Sequence, residues 1–150
     1  MTASKFISPR LTMNAININA IVTGTKGTYV GKNVSMGDAG YNTVHVSYLQ
    51  YTPDGTTVTP KFLMWRDNTA MPTSWETIDS LKAGKGATVS TSIGTPDVSG
   101  YVLVSHAIKL PSSYAGALGF NTFKIRLDLT TQNQFIRPGV KALKAVMTDE

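Results

Sequence analysis

The chain has 150 residues, enough for one domain rather than two, and no cysteine, which rules out disulfides and thiolate metal sites. Lys and Arg number 14 against 9 Asp and Glu, a net charge of +5, and the basic residues run singly from Lys5 to Lys144 without the cluster that a nucleic-acid surface needs. Charged residues make up only 15% of the chain, while Thr, Ser, Asn and Gly are abundant, a composition that suits strands with polar outer faces.

Met1-Thr-Ala-Ser-Lys5 leads into a mixed segment rather than an apolar stretch, so no secretory signal is expected. No run reaches membrane-spanning length, and no membrane insertion is expected. Residues 5–13 read as a first strand, with Pro9 marking an edge or a bulge because it has no N–H for a ladder. Residues 14–23 alternate, with Ile16, Ile18, Ala20 and Val22 on one face and Asn17 and Asn19 on the other. Residues 28–34 fit a short strand, and Gly37-Asp38-Ala39-Gly40 reads as a loop.

Residues 43–51 form a strand in which Val44, Val46 and Tyr48 share one face and His45, Ser47, Leu49 and Tyr51 the other. Pro53-Asp54-Gly55 is a turn, with proline presetting φ and glycine supplying positive φ. Residues 58–66 are expected to return as the second arm of a hairpin. Thr73-Ser-Trp-Glu76 fits a capping box, with Ile78 and Leu81 following at helical spacing before Gly84. A short helix near residues 74–83 and a strand through residues 75–78 both fit. Residues 87–93 alternate weakly. Residues 100–110 are apolar on both faces at Val102, Leu103 and Val104, which predicts a central, covered strand before a small-residue loop over residues 111–119.

Phe123, Ile125, Leu127 and Leu129 then alternate with Lys124, Arg126, Asp128 and Thr130. After a polar turn, residues 140–147 fit either a strand or a helix, since Val140, Leu143 and Met147 also make a helical stripe. The pattern as a whole predicts an all-β fold: a single antiparallel β-sandwich, jelly-roll-like, with at most one short helix.

No catalytic constellation stands out. His45 and His106 each lie mid-strand, Gly24-Thr-Lys-Gly27 and Gly84-Lys-Gly86 lack the strand-to-helix setting of a phosphate loop, and nucleophile-elbow or metalloprotease patterns are absent. No enzyme activity, cofactor or metal is expected. Asp38, Asp54, Asp67 and Asp97 are scattered over turns, which they usually serve themselves, and no calcium site can be assigned to them. Trp75 and Tyr114 sit beside loops and are candidate glycan contacts, whereas Trp65, next to Met64, reads as core.

The end of the chain runs Phe120-Asn-Thr-Phe123-Lys-Ile-Arg126-Leu-Asp-Leu-Thr-Thr131, a polar turn Gln132-Asn-Gln-Phe-Ile136, then Arg137-Pro138-Gly-Val-Lys-Ala-Leu143. It resembles the closing hairpin of β-sandwich modules in bacteriophage tail proteins, including fibre, baseplate and adsorption components. Phe6-Ile7-Ser8-Pro9-Arg10-Leu11 is similar to the opening strand of such modules. The resemblance carries no catalytic residue. It implies a virion structural protein made in the host cytoplasm, partnered by other tail proteins and itself a homo-oligomer. With its own Met1 the chain is expected to be the module alone, an accessory or connecting protein. The exposed row Lys124, Arg126 and Asp128 is the candidate assembly face, against the plainer reading of a solvated surface. A host-surface glycan-binding tip and a capsid decoration protein are the alternatives.

Overall fold

The computed structural model describes residues 11–13, 16–17, 26–35, 37, 40–114, 119–133 and 135–149. The strands are β1 (Leu11–Met13), β2 (Ile16–Asn17), β3 (Lys26–Val30), β4 (Val34–Ser35), β5 (Thr43–Tyr51), β6 (Thr56–Trp65), β7 (Glu76–Thr77), β8 (Thr88–Ile93), β9 (Val102–Lys109), β10 (Thr122–Thr131) and β11 (Gly139–Thr148), with one helix, α1 (Ile78–Lys85). They form two antiparallel sheets. One has six strands in the order β1-β11-β5-β9-β8, with β2 also on β11. The other has five in the order β3-β10-β6-β7, with β4 also on β10. Residues 5–10, 14–15 and 18–23, together with Asp38, Ala39 and residues 115–118, carried expectations that lie outside the described residues.

Alternation along each strand makes the sandwich. Val44, Val46 and Tyr48 on β5, Val104 and Ile108 on β9, and Leu143, Ala145 and Met147 on β11 bury one face of the six-stranded sheet. Phe62 and Met64 on β6, with Phe123, Ile125, Leu127 and Leu129 on β10, bury one face of the other. All of these belong to one continuous core. Each buried Val, Leu, Ile, Phe or Met among them contributes about 1.5–3 kcal/mol, so this inter-sheet layer dominates stability.

The two expected hairpins do not form. β5 pairs with β9 and β11, whereas β6 pairs with β10 and β7. β10 and β11 likewise lie in different sheets. Both reversals are arches from one sheet to the other. They run side by side, because β6 pairs with β10 while β5 pairs with β11, and the Gln132 N–H donates to the Gly55 carbonyl at 3.0 Å. A hairpin would leave both apolar faces on the same side of one sheet; an arch sets them opposite each other.

Residues 140–147 are strand, and a bulge explains their helical look. The register passes from Lys141↔Leu49 to Lys144↔Ser47, so Ala142 and Leu143 together oppose Tyr48. Ala142 takes φ 56. The inserted residue lets Val140 and Leu143, three apart, both face the core, after which Ala145 and Met147 continue at period two.

The helix and the strand at residues 74–83 both exist, in succession. β7 occupies Glu76–Thr77, and α1 begins at Ile78. Its cap is not the expected Thr73/Glu76 pair. The Thr77 hydroxyl accepts from the Ser80 N–H at 3.1 Å and the Ser80 hydroxyl accepts from the Thr77 N–H at 2.8 Å. Gly84 lies inside the helix, and Gly86, at φ 72, ends it. Only Leu81 of the helix is fully buried. β9 is second from its sheet's edge and covered on one face only: Val104 is buried, while Leu103 faces outward at 49% exposure.

Substituting Ala142→Gly should remove the strain of a β-carbon at positive φ and raise stability by up to about 1 kcal/mol, read as a higher Tm. Ala142→Val should lower it.

Candidate functional site

The outward face of the five-stranded sheet carries the predicted assembly row. Arg126 and Asp128 are two residues apart on β10 and therefore point the same way. The guanidinium grips the carboxylate with two parallel bonds, Nε to Oδ1 and Nη2 to Oδ2, each 2.9 Å. Lys61 stands directly opposite Arg126 on β6, and its Nζ reaches Asp128 Oδ2 at 2.8 Å. Thr28, opposite Asp128 on β3, donates to the same carboxylate at 3.4 Å. The Arg126 guanidinium also lies 5.3 Å from the centre of the Trp75 ring. Burial alone would raise the Asp128 carboxyl, but the hydrogen bonds and charges of Arg126 and Lys61 outweigh it and hold it below its ordinary 3.8. Lys124 sits one step along the row, opposite Leu63.

The structure therefore brings Arg126 and Asp128 of the predicted row together and joins to them Lys61, Thr28 and Trp75, the last of which the sequence had marked only as a glycan candidate. It also parts the two aromatic candidates. Trp75 covers the charged cluster. Tyr114 packs against the core and donates its hydroxyl to the Met64 carbonyl at 3.2 Å. It lines a cleft of about 310 Å³ with Met64, Trp65, Arg66, Thr69, Ala70 and Pro72; Trp75 is not part of that lining. Trp65 is buried, but it lies on the face of β6 opposite Met64, beside this cleft and outside the inter-sheet core in which it was expected.

The histidines have separate surroundings. His45 faces outward on β5, with Nε2 3.1 Å from the Thr148 hydroxyl, beside a depression of about 450 Å³ lined largely by Ser47, Ser90, Ser92, Ser105 and Ala107. His106 faces the interior on β9. Its Nε2 is 3.2 Å from the Tyr48 hydroxyl and its Nδ1 is 2.9 Å from the Thr91 hydroxyl. Each hydroxyl can donate or accept, so either tautomer of the neutral ring is satisfied. Burial lowers the His106 pKa from its ordinary 6.5.

Of the loop aspartates, Asp97 serves its own loop, whereas Asp67 is tied to a distant strand end. Asp97 Oδ1 accepts from the Ser99 N–H at 2.8 Å, the Ser99 hydroxyl at 2.7 Å and the Tyr101 N–H at 3.0 Å. Asp67 accepts from the Asn121 amide at 3.2 Å. Among the described residues no three His, Asp or Glu side chains converge as a metal site would require. No family model, curated protein or solved structure matches this chain.

Two outcomes test this electrostatic picture. Because the folded protein holds His106 less basic than the unfolded chain does, stability is full above about pH 6.5 and falls as pH drops through the lower folded value. Thermal midpoints should decline as pH drops below about 6.5, and His106→Gln should flatten that decline. Asp128→Asn should cost about 1 kcal/mol near neutral pH, since two cations lose their shared acceptor. Its folded pKa is depressed, so the stabilisation is present above about pH 4 and is lost as pH falls through the folded value; the variant should show a shallower acid limb.

Proposed function

We propose that this chain is a structural subunit of a bacteriophage virion, tail-associated as a fibre, baseplate or connector component, which works by protein–protein assembly rather than catalysis. The observation that carries the reading is the segment from Phe120 to Thr148. Its sequence resembles the closing hairpin of tail-protein sandwich modules, although here β10 and β11 form an arch between the sheets, and both are interior strands with neighbours on each side, as β5, β6 and β9 also are. A module recognisable by that segment is recognisable by its scaffold, which fits a protein whose task is to hold a shape.

The charged face supports a structural role in a second way. Asp128 holds both Arg126 and Lys61, and the Arg126 guanidinium also lies over the Trp75 ring. A partner docking there would meet a surface already ordered, at little entropic cost.

Immunogold labelling of particles from the phage that encodes the chain tests the reading. Gold on the tail is the expected result. Gold on the head would point to capsid decoration, and unlabelled particles would remove the virion assignment.

A further inference from the structure

A sheet edge presents unpaired N–H and C=O groups, and folded proteins blunt their edges with short strands, charges, prolines or breaks. Among the described residues, both edges of the five-stranded sheet are blunted. In the five-stranded sheet, β3 carries Lys26 and is separated from β4 by Gly31, Lys32 and Asn33, while the two-residue β7 runs straight into α1. β8 lacks these devices. Its sequence Thr-Val-Ser-Thr-Ser-Ile has no charge and no proline, and its register with β9 is unbroken from Thr88↔Lys109 to Ile93↔Val104. All but Val89 are exposed.

The register also tells which backbone groups are on offer. The Gly94 N–H donates to the Leu103 carbonyl at 2.8 Å. By antiparallel alternation, Thr88, Ser90 and Ser92 also turn their backbone groups toward β9, and Val89, Thr91 and Ile93 turn theirs outward. Among the described residues no strand pairs with that outward side.

We propose that β8 docks on β8 of a second copy of this chain, antiparallel about a two-fold axis at Thr91, joining two six-stranded sheets into one. This names the contact within the assembly reading and rests on that reading for its setting. An axis at Thr91 sets Thr91 opposite itself and Val89 opposite Ile93 of the second copy, so every outward-turned residue exchanges backbone bonds. Faces match as well: the apolar Val89 and Ile93 meet on the core side, and Ser90 meets Ser92 on the other. Ile93 is 67% exposed in the single chain and gains a cross-strand apolar neighbour. With the axis moved to Ser90, Ile93 would face Ala87, whose N–H is already given to the Leu81 carbonyl at 3.0 Å. That difference favours Thr91 over Ser90 as the axis.

The chain has no cysteine, so Ser90→Cys/Ser92→Cys places thiols at the seam alone. Residues 90 and 92 of opposite copies would form a non-hydrogen-bonded pair with Cα atoms about 4.5 Å apart, within disulfide reach. Mild oxidation should give a covalent dimer from the double variant and none from Ser90→Cys alone. A failure of the double variant to cross-link, or cross-linking by Ser90→Cys alone, overturns the proposal. Ile93→Lys supplies an independent reading, because the side chain is exposed and its replacement leaves the fold intact by circular dichroism. It should weaken self-association in sedimentation by about tenfold or more, since a lysine would oppose Val89 across the seam twice. An oligomer indifferent to Ile93→Lys overturns the β8 contact and leaves the assembly reading standing. Cross-linking in a chain that labels no virion keeps the contact and removes the setting.

Discussion

Face-to-face burial of one-sided strands is the constraint on which the rest of this structure depends. A strand such as β10 hides Ile125, Leu127 and Leu129 completely while leaving Lys124, Arg126 and Asp128 half-covered. At about 25 cal/mol per Å² of apolar surface, no hydrogen bond on the outer face competes with that inner layer. The layer requires a second apolar face opposite the first, and the chain supplies it by crossing between sheets at both of its tight reversals. The paired arches, the bulge at Ala142 and the helix that carries the chain from β7 to β8 are three consequences of that requirement. Each brings the next apolar face round to the interior.

Strand positions and the faces they bury were legible, because period two is a local property of the sequence. Val44, Val46 and Tyr48 read as a buried row and are one. The plane of each turn was not legible. Pro53-Asp54-Gly55 fixes a reversal through its φ preferences, and the same preferences serve a hairpin or an arch; which one forms depends on strands far away in sequence. The bulge hid for a related reason. One inserted residue converts two runs of period two into a spacing of three, which imitates a helix turn at Val140 and Leu143. The cap was shifted because Thr73-x-x-Glu76 and Thr77-x-x-Ser80 are both locally acceptable, and tertiary context chose: Glu76 pairs with Phe62 at the edge of β6, so the chain is still extended there.

The charged cluster shows the same division between local and distant information. That Arg126 and Asp128 share a face follows from their spacing, and their bidentate bond follows almost directly. Lys61 enters only through the register of β6 against β10, and Trp75 only through the path of the loop before β7. Neither contact has a signature in the residues themselves. His106 is the converse case. Its parity with Val104 and Ile108 already marks it as inward-facing, and the Tyr48 and Thr91 hydroxyls on the flanking strands complete the polar pocket that an inward histidine needs.

A sandwich that spends its inner faces on the core leaves its outer faces and its edges for contacts. An edge recognises a partner through main-chain groups, which every residue but proline carries. What it asks of the sequence is negative: no charge, no proline, no break. Thr88–Ile93 meets those conditions by omission, in a segment whose alternation is only weak in the sequence. An assembly surface of that kind leaves little mark in the sequence, whereas a catalytic site must place particular side chains in particular positions. For a protein that acts by edge pairing, the scaffold is therefore easier to read than the contact, and the register of the outermost ladder carries more functional information than any side-chain motif.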